Sequence, residues 1–72
     1  MEFVIVTYPG GRPVNIDDAP AGSTNEVLEL DAGTHKFDLG LPADYDPSSQ
    51  EVAVEGTNAL APLKIAFRKK GG

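Results

Sequence analysis

Cysteine is absent from the 72 residues, histidine occurs once, at position 35, and no apolar run is long. Each shortage removes a class of function. Without thiols the chain has neither a disulfide framework nor a cysteine zinc site, so redox and thiolate roles fall away. A membrane helix needs about 18 continuous apolar residues, which no segment approaches, so membrane insertion is not expected. Met1 and Glu2 lead straight into an alternating segment, without the basic region and apolar stretch of a signal peptide. The chain reads either as a cytoplasmic protein as encoded or as a piece of a longer one, and extended segments that start near residue 3 and stop near residue 68 favour the second. Chains of this length bury only about 60% of the surface exposed when unfolded, so stability must come from a sheet core, from oligomerisation or from neighbouring domains.

Positive charge is scarce where negative charge is dense. All eleven acids lie between Glu2 and Glu55, where only Arg12 and Lys36 oppose them, and the remaining four bases, Lys64, Arg68, Lys69 and Lys70, follow. The first part carries minus nine and the end plus four. Net acidity repels phosphate backbones and argues against nucleic acid as a partner. Residues 69–72 read as a flexible tail whose basic residues are a solvated end.

What the chain does have is period-two alternation between glycine and proline breaks. Phe3, Ile5 and Thr7 alternate with Val4, Val6 and Tyr8; later come Val14 and Ile16, Leu28 and Leu30, Phe37 and Leu39, Val52 and Val54, then Leu63, Ile65 and Phe67. A period of two places successive side chains on opposite faces of a strand. Six strands are expected, over about residues 2–8, 13–17, 24–31, 34–39, 50–55 and 63–68. Asp17 to Gly22 reads as a polar loop. Residues 24–31 form no i, i+3, i+4, i+7 stripe before Gly33 and read as a strand, making a hairpin with the strand that follows. Leu41 to Ser49 is the longest irregular stretch. The fold class is an all-β antiparallel sandwich in one domain, with Phe3, Ile5, Val14, Ile16, Leu28, Leu30, Phe37, Leu39, Val52, Val54, Leu63, Ile65 and Phe67 as the core.

The order of turns and strands resembles the PEGA domain of bacterial proteins. Thr7, Pro9 and Gly11 precede Val14, Ile16 and Asp17; Gly22 and Thr24 match the following loop; Leu28, Leu30, Gly33, His35, Phe37 and Leu39 match the hairpin; Tyr45, Val52, Val54 and Gly56 fit the later segment. Gly10 and Arg12 stand where the name motif has Glu and Ala, Asn25 replaces a proline, and Asp18 a glycine. The resemblance implies a prealbumin-like or carboxypeptidase-regulatory-like sandwich without catalytic activity or cofactor. It implies use as a spacer or interaction unit of an envelope-associated, periplasmic or extracellular protein, with a protein or a cell-surface polymer as partner.

Few residues could carry chemistry. Ser/His/acid catalysis needs a histidine oriented by an acid beside an activated hydroxyl, and His35 stands alone; it reads as a rim residue whose ring caps a loop backbone group. Asp44, Asp46, Ser48 and Glu51 offer oxygens to calcium within one loop, without the sixth-position glycine of an EF-hand. Tyr8, Arg12 and Tyr45 are of the types enriched at interface hot spots and are expected on exposed loops, and a free sheet edge could accept an added strand. The terminal Gly71 and Gly72 are similar to the ends of ubiquitin-like sulfur carriers and modifiers, in which the Gly72 carboxylate would be conjugated. That fold needs an amphipathic helix crossing the sheet, for which residues 18–35 supply no stripe.

Overall fold

The computed structural model describes residues 1–70, and the conjugation terminus considered at Gly72 lies outside them. The described chain is all β: β1 Glu2–Thr7, β2 Pro13–Ile16, β3 Ala19–Ser23, β4 Val27–Leu30, β5 Gly33–Asp38, β6 Tyr45–Asp46, β7 Gln50–Val54, β8 Leu63–Ala66 and β9 Arg68–Lys69. A three-stranded sheet runs β4-β1-β8, a four-stranded sheet runs β3-β2-β5-β7, and β6 pairs with β9. β1 is antiparallel to β4 and parallel to β8; the remaining pairs are antiparallel. Both larger sheets contribute to one core, Val4, Val6, Leu28, Leu30 and Ile65 from the first and Val14, Phe37 and Val54 from the second. This is the sandwich-like all-β architecture that the alternation predicts, except that β1 and β8 pair in parallel where an antiparallel arrangement is expected.

The inner face of β1 is the opposite of the expected one. Val4 and Val6 are fully buried and Tyr8 nearly so, whereas Phe3 and Ile5 are half-buried on the outer side. Both faces of β1 are apolar, so alternation alone cannot choose between them. The register chooses: Val4 pairs with Leu28, whose side chain, like that of Leu30, is buried. Ile16, Val52 and Leu63 pack against the core from partly buried positions rather than within it.

The expected hairpin of residues 24–31 with 34–39 is not formed. β4 belongs to the three-stranded sheet and β5 to the four-stranded one, so Asp31 and Ala32 carry the chain from one layer to the other. Thr24 and Asn25 stand before β4, with Asn25 in the left-handed region at φ 64°. The segment expected to be a loop, Asp17 to Gly22, holds instead a two-residue hairpin turn and most of β3. Asp17 and Asp18 have φ of 53° and 66°, the positive pair of a type I′ turn. Short aspartate side chains tolerate that conformation, and it matches the twist of the strands it joins. A register shift between Val14 and Asn15 bends β2 against β3. There Gly22, at φ 154°, passes over the Leu28 side chain so closely that a Cβ would come within 2.5 Å of it. The last expected strand is divided at Phe67 into β8 and β9, and Tyr45 and Asp46 pair with β9 from within the stretch expected to be irregular.

Candidate functional site

The richest polar cluster surrounds Arg12, between β1 and β2. Its guanidinium carbon lies 5.9 Å from the Tyr8 ring centroid and 5.3 Å from that of Tyr45. Nη1 donates to Asp44 Oδ1, and Nη2 donates to the carbonyls of Pro42 at 2.8 Å and Leu39 at 3.3 Å. The planar fork thus reaches three acceptors on one loop while its faces meet two rings. Asp44, its hydrogen-bond and charge partner, raises the Arg12 pKa above its ordinary value. Tyr45 donates no free surface: it is buried, meets Phe67 edge to face at 5.6 Å, and its hydroxyl accepts from the Leu39 amide at 3.2 Å. The three residues expected to present an exposed binding surface are therefore brought together. Tyr8 and Tyr45 are core residues, however, and the Arg12 side chain keeps only 14% exposure.

A second node fixes the same end of the molecule. Thr24 Oγ1 accepts from the Arg12 amide and donates to the Gly10 carbonyl, both at 3.0 Å, while the Thr24 amide donates to the Arg12 carbonyl at 2.9 Å. The Asn25 side chain receives the Tyr8 amide at 3.2 Å and donates to the Tyr8 carbonyl at 3.0 Å, continuing the β1 ladder where no strand is available. At the other end, Thr57 donates from its amide and hydroxyl to Glu2, at 2.9 and 2.7 Å, and holds the Glu2 carboxyl below its ordinary pKa.

His35 caps a backbone group, as its position predicts, and also has an acid. Nδ1 lies 2.6 Å from Asp17 Oδ2 and Nε2 lies 2.7 Å from the Asp31 carbonyl. Both ring nitrogens face acceptors, an arrangement satisfied only by the imidazolium, which donates twice. Asp17, and secondly the Asp31 carbonyl, raises the His35 pKa above 6.5. Asp17 is pushed below its ordinary value, first by the Lys36 amide, which donates to Oδ1 at 2.9 Å, and then by His35. Beside them Lys36 Nζ meets Asp18 Oδ1 at 2.7 Å, a contact that raises the lysine. The ring therefore links the β2-β3 turn to the β4-β5 crossing, and in its doubly donating form has no lone pair with which to take a proton from a substrate.

The calcium ligand set considered at Asp44, Asp46 and Glu51 does not assemble. Asp44 binds Arg12, Asp46 receives Arg68 Nε and Nη2 at 3.1 and 2.8 Å, and Glu51 lies on β7 opposite Lys36. Among the described residues no three metal-ligating side chains cluster and no cavity opens. Two positively charged side chains have captured the acids that a cation would need.

No family model matches this chain, and neither the curated proteins nor the solved structures supply a match. Sequence reasoning missed the pairing of Asp17 with His35. The Asp17-Asp18 dipeptide, tolerant of positive φ, was its signal. Reading it as a type I′ turn would have set Asp17 beside the strand that carries His35.

Proposed function

We propose that the chain is a non-enzymatic accessory or interaction module, PEGA-like in its order of turns and strands, of a bacterial envelope-associated or surface protein. One observation carries this reading. The side chains singled out for chemistry are spent on joining parts of the same chain: Arg12 on the 39–44 loop, His35 on two turns, Asp46 on Arg68. What stays open to a partner includes strand edges, the half-buried outer side of β1 and exposed charges such as Glu29, with no catalytic grouping among them. A protein or a cell-surface polymer suits such surface. No helix among the described residues is long and apolar enough to cross a membrane. The all-β course of residues 18–35, which hold β3, β4 and the first half of β5 where the ubiquitin-like fold has its crossing helix, favours this reading over the carrier reading.

The test is an activity screen on ester, phosphoester and peptide model substrates with the wild-type chain and His35→Gln. Rates equal to buffer for both proteins are expected. Turnover by the wild type that disappears in His35→Gln would overturn the reading.

A further inference from the structure

Four strands end the two larger sheets, and two of these edges are blocked. Beside β8, Gln50 Nε2 donates to the Ala66 carbonyl at 2.7 Å, and β6 pairs with β9, which continues the line of β8. β3 carries Pro20, which has no N–H to offer, next to the register shift of its hairpin. β7 is open, but it presents Glu51, already opposite Lys36, and the small Ala53, so a strand added there meets no large apolar side chain. Charges, prolines and bulges are the means by which proteins prevent strand addition. β4 has none of these except the charge of Glu29.

The groups on the β4 edge follow from β1. The Asn25 amide donates to the Val6 carbonyl at 2.7 Å, and the Asn25 side chain takes both backbone groups of Tyr8. On the other side the Phe67 amide donates to the Thr7 carbonyl at 2.9 Å, and the Phe3 amide to Thr57 Oγ1 at 2.7 Å. Even-numbered residues of β1 therefore turn their backbone groups towards β4 and odd-numbered ones away. Glu2 and Val4 exchange bonds with their partners Leu30 and Leu28, which leaves the N–H and C=O of Val27 and Glu29 pointing off the sheet. Val27, 48% exposed, stands beside Ile5, and Glu29 beside Phe3, so the outer face next to this edge is apolar at one level and acidic at the next.

Charge decides the occupant. Glu26, Glu29 and Asp31 border the edge, and the one base on the outer face of this sheet, Lys64, lies on the far side of β1. A second copy added edge to edge would crowd two sets of these acids onto one short ladder, Glu29 facing Val27 or itself, with no base beside the edge to offset their repulsion. We propose that the β4 edge is a docking site for an extended peptide segment in which apolar and basic side chains fall on the same face. It adds to the three-stranded sheet as a fourth strand, with an apolar side chain against Val27 and Ile5 and a Lys or Arg against Glu29. Same-face residues of such a segment are about 7 Å apart, the spacing of Val27 and Glu29 on their own strand. This inference rests on the interaction-module reading and gives it a partner chemistry.

The test uses the isotope-labelled chain and a capped peptide of alternating Thr with Val and Lys, followed by amide shifts and hydrogen exchange. In the free protein the Val27 and Glu29 amides exchange at least tenfold faster than those of Leu28 and Leu30. With peptide, saturable shifts centre on residues 26–30 and exchange at Val27 and Glu29 slows at least tenfold. Glu29→Lys weakens binding of this peptide about threefold to fivefold, as loss of an exposed ion pair implies, and a Glu-for-Lys peptide regains it. Val27→Lys abolishes binding while the Phe37 and Val54 resonances keep their positions. Protected Val27 and Glu29 amides in the free chain would overturn the inference, as would shifts centred on another edge or none at millimolar peptide. Binding at another edge would leave the interaction-module reading standing, whereas turnover in the substrate screen would end that reading instead.

Discussion

Replacing Arg12 by Met preserves the apolar stem and removes the fork, which makes it the sharpest probe of what this residue does. The ion pair with Asp44 contributes little by itself, about 0.2–1 kcal/mol, because the Asp44 side chain is 60% exposed. Each cation–π contact adds about 0.5–1 kcal/mol at a site that keeps some water. The bond to the Pro42 carbonyl comes from a charged donor and is the strongest of the set, about 1.5 kcal/mol at the lower end of such bonds. The Leu39 bond, at 3.3 Å, is the weakest of the set and adds little. Because these terms share one side chain and the freed carbonyls regain water, about 2–3 kcal/mol is the expected loss. A domain of this length has a total stability of about 4–11 kcal/mol, so thermal unfolding should fall by roughly 10–20 °C. Arg12→Lys keeps the charge but cannot reach Asp44 and Pro42 together, and should lose about half as much. The assay is urea and thermal unfolding by circular dichroism, with exchange of the Leu39 amide as a local report. If Arg12→Met stays within about 0.5 kcal/mol of wild type, the residue does not hold the 39–44 loop and the reasoning fails.

Three further outcomes follow from the same structure. The folded pKa of His35 is raised, so its contribution to stability is full below pH 6.5 and is lost as pH rises through the folded value. Asp17 has a lowered pKa, so its contribution is full above its ordinary 3.8 and is lost as pH falls through the folded value. Urea unfolding should therefore show wild type declining above about pH 6.5 and His35→Gln flat there, and an NMR titration midpoint of His35 at or below its ordinary value would contradict the double-acceptor geometry. Gly22→Ala combines backbone strain with collision against Leu28 and should cost more than Gly33→Ala, which has a similar positive φ of 135° and open space; equal unfolding midpoints for the two would refute the close approach. Val6→Thr buries a hydroxyl without a partner and should cost about 2 kcal/mol, whereas Ile5→Thr should cost under about 1 kcal/mol; the reverse order in urea unfolding would restore Phe3 and Ile5 to the core.

Alternation made the all-β class, β2, β5 and β7 legible in the sequence, because one face of each is clearly the more apolar. It was silent for β1, where Phe3-Ile5 and Val4-Val6 are equally apolar and only pairing with Leu28 breaks the tie. Connections were harder than strands. Asp31, Ala32 and Gly33 are as compatible with a tight hairpin turn as with a crossing between layers, and the difference lies in which partners wait at each end. Exposure of Tyr8 and Tyr45 was misread for a similar reason. A tyrosine beside glycines and prolines looks like a loop residue until a buried acceptor, such as Tyr45 Oη beside the Leu39 amide, accounts for its hydroxyl. The calcium set of Asp44, Asp46 and Glu51 failed because Arg12 and Arg68, distant in sequence, fold back onto two of the three acids.

The claim on which the rest depends is that β4 and β5 lie in different layers, with β4 beside β1. Phe3 with Glu29 and Ile5 with Val27 are the close, non-hydrogen-bonded pairs of that ladder, so a nuclear Overhauser spectrum should contain strong Hα–Hα cross-peaks for both. Cross-peaks joining residues 27–30 to residues 34–38 in their place would put β4 in a hairpin with β5 and contradict the two-layer arrangement, the β4 edge and the inward face of β1 together.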